Sequence, residues 1–171
     1  GGYNGEQRQE QTVGDLWFNF EVIESDNDGK NLKLETDSVL TMFITEEFEV
    51  SHEVIASAPD NALIIRFKTT HPKGFNGQIT MSRPMDNGFA TAKTIALNDR
   101  QLDMSGMITQ RGGQLDSKPT EILNGVKFRT ILFAQNQSGE ISTSDSTLII
   151  SGAKEFMLKL VSETSFYHED Y

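Results

Sequence analysis

The chain contains no cysteine, so disulfide frameworks and thiolate metal sites are both excluded. That leaves cytosol, periplasm and cell surface open as compartments. Apolar runs are short, and none approaches the roughly 20 residues that a membrane-spanning helix needs. Positive charge is scarce as well, with 15 Lys and Arg against 25 Asp and Glu and a net charge of −10. Neutralising phosphates takes clustered cations, so this balance argues against nucleic acid as a partner, and against an anionic membrane surface. Sugars are neutral, and acidity leaves them open as ligands while favouring solubility. No secretory leader is visible, but Gly1-Gly2 reads as a cloning remnant, so what precedes it in the natural protein stays open.

What is present points to β-structure. Eleven Phe favour strands over helices, and 14 Gly against 4 Pro suit many turns. In 15–22 the apolar set Leu16, Phe18, Phe20 and Val22 recurs at period two, the mark of a half-buried strand. Asp26-Asn27-Asp28-Gly29 then reads as a turn. Further strands are expected near 31–35, 38–45, 47–56, 62–70, 76–82, 92–97, 101–107, 125–136, 139–143, 146–150 and 155–164. Phe48, Val50, His52 and Val54 alternate with Glu47, Glu49, Ser51 and Glu53; Leu63, Ile65 and Phe67 alternate with Ile64, Arg66 and Lys68. Val126, Phe128, Thr130 and Leu132 oppose Lys127, Arg129 and Ile131, and Phe156, Leu158 and Leu160 oppose Met157, Lys159 and Val161. Pro59-Asp60-Asn61, Pro72-Lys73-Gly74, Asp86-Asn87-Gly88, Arg111-Gly112-Gly113, Ser138-Gly139 and Ser151-Gly152 punctuate these runs as turns. No stretch keeps apolar residues at helical spacing over three turns. Many short strands joined by turns predict an all-β, antiparallel β-sandwich. Its expected limits are 13–167, after a flexible lead-in at 1–12, with 108–124 as a long surface loop.

Candidate chemistry is thin. His52 falls on the inward register of its strand, where a half-buried imidazole with satisfied hydrogen bonds is expected. His71 precedes Pro72 in a turn and is expected to be exposed. His168-Glu169-Asp170 offers metal-ligand types, but a few donors on a fraying terminus make a poor site, so no metal and no cofactor are expected. Asp26-Asn27-Asp28-Gly29 resembles the start of a calcium loop without the distal bidentate Glu that completes one. Glu47, Glu49 and Glu53 share an outward face with Ser51, where carboxylates are solvated and lack the apolar surroundings that raise a general acid's pKa. Asn136-Gln137-Ser138 is a glycosylation triplet that matters only in a eukaryotic secretory setting. Trp17 points opposite to Leu16 and Phe18. A sugar-stacking platform is one reading of it; burial beneath a layer covering both strand faces is the preferred one. Trp17, Phe89, Phe166 and Tyr167 are the candidates for carbohydrate or interdomain contact, and no catalytic residue is assigned.

Four segments, in order, resemble one family. Val13-Gly14-Asp15-Leu16-Trp17-Phe18-Asn19-Phe20 is similar to the "LGDL-aromatic-x-F" strand in the N-terminal domain of family 95 glycoside hydrolases, the α-L-fucosidases. The run from Leu32-Lys33-Leu34-Glu35 to Val50-Ser51-His52-Glu53-Val54-Ile55-Ala56-Ser57-Ala58-Pro59-Asp60-Asn61-Ala62-Leu63-Ile64-Ile65-Arg66-Phe67 resembles "L-x-L…REVFASxPDxVLVVR". Gln101-Leu102-Asp103-Met104-Ser105-Gly106 resembles "L-x-L-x-G". Gly125-Val126-Lys127-Phe128, Leu148-Ile149-Ile150-Ser151-Gly152-Ala153 and Leu158 to Phe166 resemble "GxxF…L-x-V-x-GA…LLLxxxTSY". His52 stands where that family usually has Arg, and the family's opening "GNGRLGAM"-type segment is missing. The resemblance therefore implies a supersandwich-like domain lacking its first strands, with 168–171 opening a linker to a helical (α/α)₆ catalytic barrel of the same parent chain. It further implies a bacterial periplasmic, secreted or cell-surface enzyme that removes terminal α-1,2-linked fucose with inversion, both catalytic groups lying in the barrel. The alternatives are a free-standing carbohydrate-binding module or a structural, adhesive surface sandwich.

Overall fold

The computed structural model describes residues 14–21, 33–36, 39–44, 47–57, 61–85, 90–108 and 126–165. Twelve strands occur among them: β1 (Asp15–Phe20), β2 (Lys33–Thr36), β3 (Val39–Ile44), β4 (Glu49–Ser57), β5 (Ala62–Thr69), β6 (Phe75–Ser82), β7 (Ala92–Asn98), β8 (Gln101–Ile108), β9 (Val126–Asn136), β10 (Glu140–Ser144), β11 (Thr147–Ala153) and β12 (Glu155–Thr164). They form a four-stranded sheet, β1-β6-β11-β10, and an eight-stranded sheet, β2-β3-β4-β5-β12-β9-β8-β7. All pairings are antiparallel.

The alternation read in the sequence is what closes these sheets on each other, because successive side chains point to opposite faces of a strand. Phe75, Ile79 and Met81 of β6 and Leu148 and Ile150 of β11 descend from the small sheet. Ile65 and Phe67 of β5, Phe156 and Leu158 of β12, Leu132 of β9 and Leu102 of β8 rise to meet them, all buried in one cluster. Phe67 stacks on Phe156 at 4.6 Å between ring centroids. Phe20 of β1 sets its edge against Phe67 at 5.5 Å and lies 5.4 Å from Phe75. The Phe-rich composition is thus spent at the junction of the two sheets.

Two local expectations are corrected. Ser151-Gly152 does not end a strand. Gly152, with φ of 63°, sits in a bulge of β11 where the register against β6 shifts between Ile150 and Ala153, and the strand continues to Ala153. A left-handed residue inside a ladder is what a glycine bulge requires. Trp17 is 60% exposed, which overturns the expectation that both faces of its strand are covered. Its strand edges a four-stranded sheet with no third layer above it among the described residues. The turn at 26–29 and the loop expected over 108–124, apart from Ile108 at the end of β8, lie outside the described residues.

Truncating the central ring should test the packing directly. Phe67→Ala is expected to destabilise the domain by about 3–5 kcal/mol, read as a lower midpoint in equilibrium urea unfolding. A loss below about 1 kcal/mol would mean that the rings do not bridge the sheets.

Candidate functional surfaces

His52 lies on β4 with its ring stacked on Phe67 at 4.8 Å and 18°, and edge-on to Phe18 at 6.1 Å. Its Nε2 is buried without a hydrogen-bond partner. The imidazole is half-buried, as expected, but its hydrogen bonds are not satisfied. Aromatic packing holds it. Burial accordingly lowers its pKa from the ordinary 6.5. His71 is half-buried rather than exposed: its ring sits edge-on to Phe48 at 4.8 Å, and its Nδ1 accepts from the Lys73 N–H at 3.2 Å. His168 lies outside the described residues, and so do the candidates Phe89, Phe166 and Tyr167.

Trp17 stands on the outer face of the small sheet, where its Nε1–H donates to Ser82 Oγ at 3.0 Å. That bond holds the indole in place with its ring open to solvent. Register puts Thr80 beside it, and Asn19 and Gln78 one pair further along the same face. The Asn136 amide is already engaged. Its Nδ2 donates to the Ser138 and Gly139 carbonyls at 2.9 and 2.8 Å, and its Oδ1 accepts from Arg100 Nη1 at 2.6 Å. The glycosylation-like triplet is turn chemistry.

A groove of about 520 Å³ crosses the outer face of the large sheet. Glu53 and Glu155 both line it, but Arg66 and Lys68 lie between them, opposite Glu53 and Glu155 respectively. Each carboxylate thus stands across the ladder from a cation on an open face, without the apolar enclosure that a general acid needs. Among the described residues no group of three or more His, Asp or Glu could hold a metal ion.

The outer face carries one feature that the sequence reading missed. Asp103 of β8 is 7% exposed, and its Oδ2 accepts both Nε and Nη2 of Arg129 at 2.9 and 2.6 Å. Its Oδ1 is buried and has no partner. A carboxylate flanked by Leu102 and Met104 in an alternating strand reads from sequence as solvated. Only the sheet order reveals Ile131 and Ile95 on either side of it.

The architecture defines the class as a two-sheet antiparallel β-sandwich whose described surfaces offer binding faces. Residues 2–169 match the model of the glycosyl hydrolase family 65 N-terminal domain, and the chain belongs to that family. No curated protein matches the chain. A glycoside-hydrolase N-terminal domain shares its chain with a catalytic domain, so the expectation of a hydrolase sandwich holds at that level, and the match does not reach to family 95 specifically.

The buried imidazole sets a pH dependence. The folded state binds the His52 proton less readily than the unfolded chain, so stability rises with pH across the interval below 6.5 and levels off above it. Thermal unfolding is expected to shift down between about pH 7.5 and about pH 5.5. His52→Phe should show a smaller shift over the same interval, and an identical shift in both proteins would discard this account.

Proposed function

We propose that this chain is the non-catalytic N-terminal accessory domain of a family 95, α-L-fucosidase-like enzyme. Residues 13–167 are its sandwich and 168–171 the start of a linker. The sandwich packs on a helical catalytic barrel in the same polypeptide, and the parent works in the bacterial periplasm or at the cell surface. The four ordered segments favour this family, and the glycoside-hydrolase domain match supports a hydrolase as the parent.

The observation that carries the packing role is the outer face of the large sheet. Across it, Ile55, Ile64, Lys159 and Phe133 form one row, and Val161, Ile131, Asp103 and Ile95 the next. Ile95, Leu97 and Phe133 are 44%, 44% and 37% exposed. Arg66, Glu53 and Lys68 border these rows on one side and Arg129 and Glu163 on the other. A mostly apolar patch, interrupted by Lys159 and the buried Asp103 and bordered by charge, has the composition of an interface.

Release of nitrophenol from nitrophenyl α-L-fucoside, and of fucose from 2′-fucosyllactose, is expected from the full parent chain and not from residues 1–171. The sugar should appear first as the inverted anomer. In the parent, Ile95→Lys with Phe133→Lys should lower the thermal midpoint more than in the isolated domain. Turnover by the domain alone, or equal shifts in the two contexts, would defeat the proposal.

A second reading, a carbohydrate-binding face, is favoured by Trp17 alone. An exposed indole fixed by Ser82 and flanked by Thr80, Asn19 and Gln78 has the apolar face and polar fringe that a pyranose ring requires. Fucosylated oligosaccharides should then shift Trp17 fluorescence saturably, with the response abolished in Trp17→Ala. A flat titration across the panel removes this reading.

A further inference from the structure

The two sheets differ in width, and β1 marks where the smaller one stops. Phe18 of β1 lies against His52 of β4 and Phe67 of β5, with centroids at 6.1 and 5.1 Å. From β4 the large sheet continues through β3 to β2, and no described strand of the small sheet lies beyond β1 to face them. The inward side of the large sheet opens accordingly. Along β5, Phe67 and Ile65 are 5% and 4% exposed, but Leu63 on the same register is 38% exposed. A recess of about 260 Å³ runs under the Gly14 end of β1, with His52, Val54, Leu63 and Leu160 in its wall.

The backbone of β1 says what fits there. In an antiparallel strand the N–H and C=O of one residue share a side, and successive residues alternate. The Glu21 N–H donates to the Asn76 carbonyl at 2.7 Å. The Asn19 carbonyl faces Gly77 so closely that a Cβ there would collide with it. Trp17, Asn19 and Glu21 therefore direct their peptide groups to β6. Leu16, Phe18 and Phe20 direct theirs to the free edge, where the described sheet has no strand. β1 also has none of the Lys, Pro or bulge features that blunt a natural edge.

We propose that the free edge of β1 is a strand-acceptor site, filled by one extended segment from the remainder of the parent polypeptide. This rests on the reading of the chain as a domain of a longer enzyme. The segment pairs with Leu16, Phe18 and Phe20 and turns apolar side chains at alternate positions onto Val54, Leu63, Leu160 and the neutral ring of His52. A second copy of the chain does not fit, because twofold pairing of β1 with β1 would bring each copy's β2-β3-β4 into the space of the other's large sheet. The chain's own lead-in, GGYNGEQRQEQT, lacks the alternating apolar residues the recess calls for. β-Augmentation of this kind draws affinity from main-chain hydrogen bonds and specificity from the pockets under alternate side chains.

Amide hydrogen exchange, resolved by residue in residues 1–171 and in the full parent, tests the proposal. In the isolated domain the Trp17, Asn19 and Glu21 amides should exchange slowly, and those of Leu16, Phe18 and Phe20 fast. In the parent the latter three should slow by about a hundredfold or more. Unchanged rates in a parent that carries a catalytic domain would overturn the acceptor site and leave the accessory-domain reading standing. Slow exchange of all six in the isolated domain would also overturn it, with a light-scattering mass separating self-covering from a dimer. A parent without a catalytic domain would sink the accessory-domain reading alone, since protection at the three amides would still report a strand.

Discussion

The contacts that Phe20 and Phe75 of the small sheet make with Phe67 and Phe156, neighbours in the large one, are the point at which two separate sheets become one body. Each sheet alone would be a ribbon with one greasy face, and hydrogen bonds within a ladder say nothing about which ladder lies opposite. Large rings at facing positions supply that information, since their area is buried only when the sheets meet in one alignment. β1 is attached to the large sheet chiefly through this cluster, and through β1 the placement of Trp17 and of the free edge follows.

The same packing explains why the inward histidine is chemically quiet. His52 occupies a position in the aromatic stack, parallel to Phe67, and its burial disfavours the charged form. A ring held this way contributes shape and apolar area, and it is not placed against a carboxylate or a nucleophile that would turn it into a base. The acidic groups are distributed in the opposite manner: Glu53 and Glu155 face outward, each across from a cation.

Three surfaces then divide the possible partners by chemistry. The outer face of the large sheet is a mostly apolar band with a charged rim, which suits another folded domain. The outer face of the small sheet is a hydroxyl- and amide-rich plane around one fixed indole, which suits a sugar. The edge of β1 is a row of backbone donors and acceptors over an apolar recess, which suits a strand. They do not compete for the same residues, so a single domain could serve all three.

Strand positions and inward residues were legible in the sequence to within one or two residues at almost every end, since period-two alternation follows directly from the pleat. Leu132, Phe156 and Leu158 lie inside for the reason their spacing implied. The exception, β11, ran three residues further because a glycine that usually marks a turn was tolerated as a bulge. What alternation cannot encode is which strand neighbours which, and how many strands each layer holds. The exposure of Trp17, the apolar rows around Asp103 and the uneven width of the two sheets all depend on that order. They are set by long-range pairing and packing, where the energy lies between residues far apart in the chain, and they became visible only in the folded arrangement.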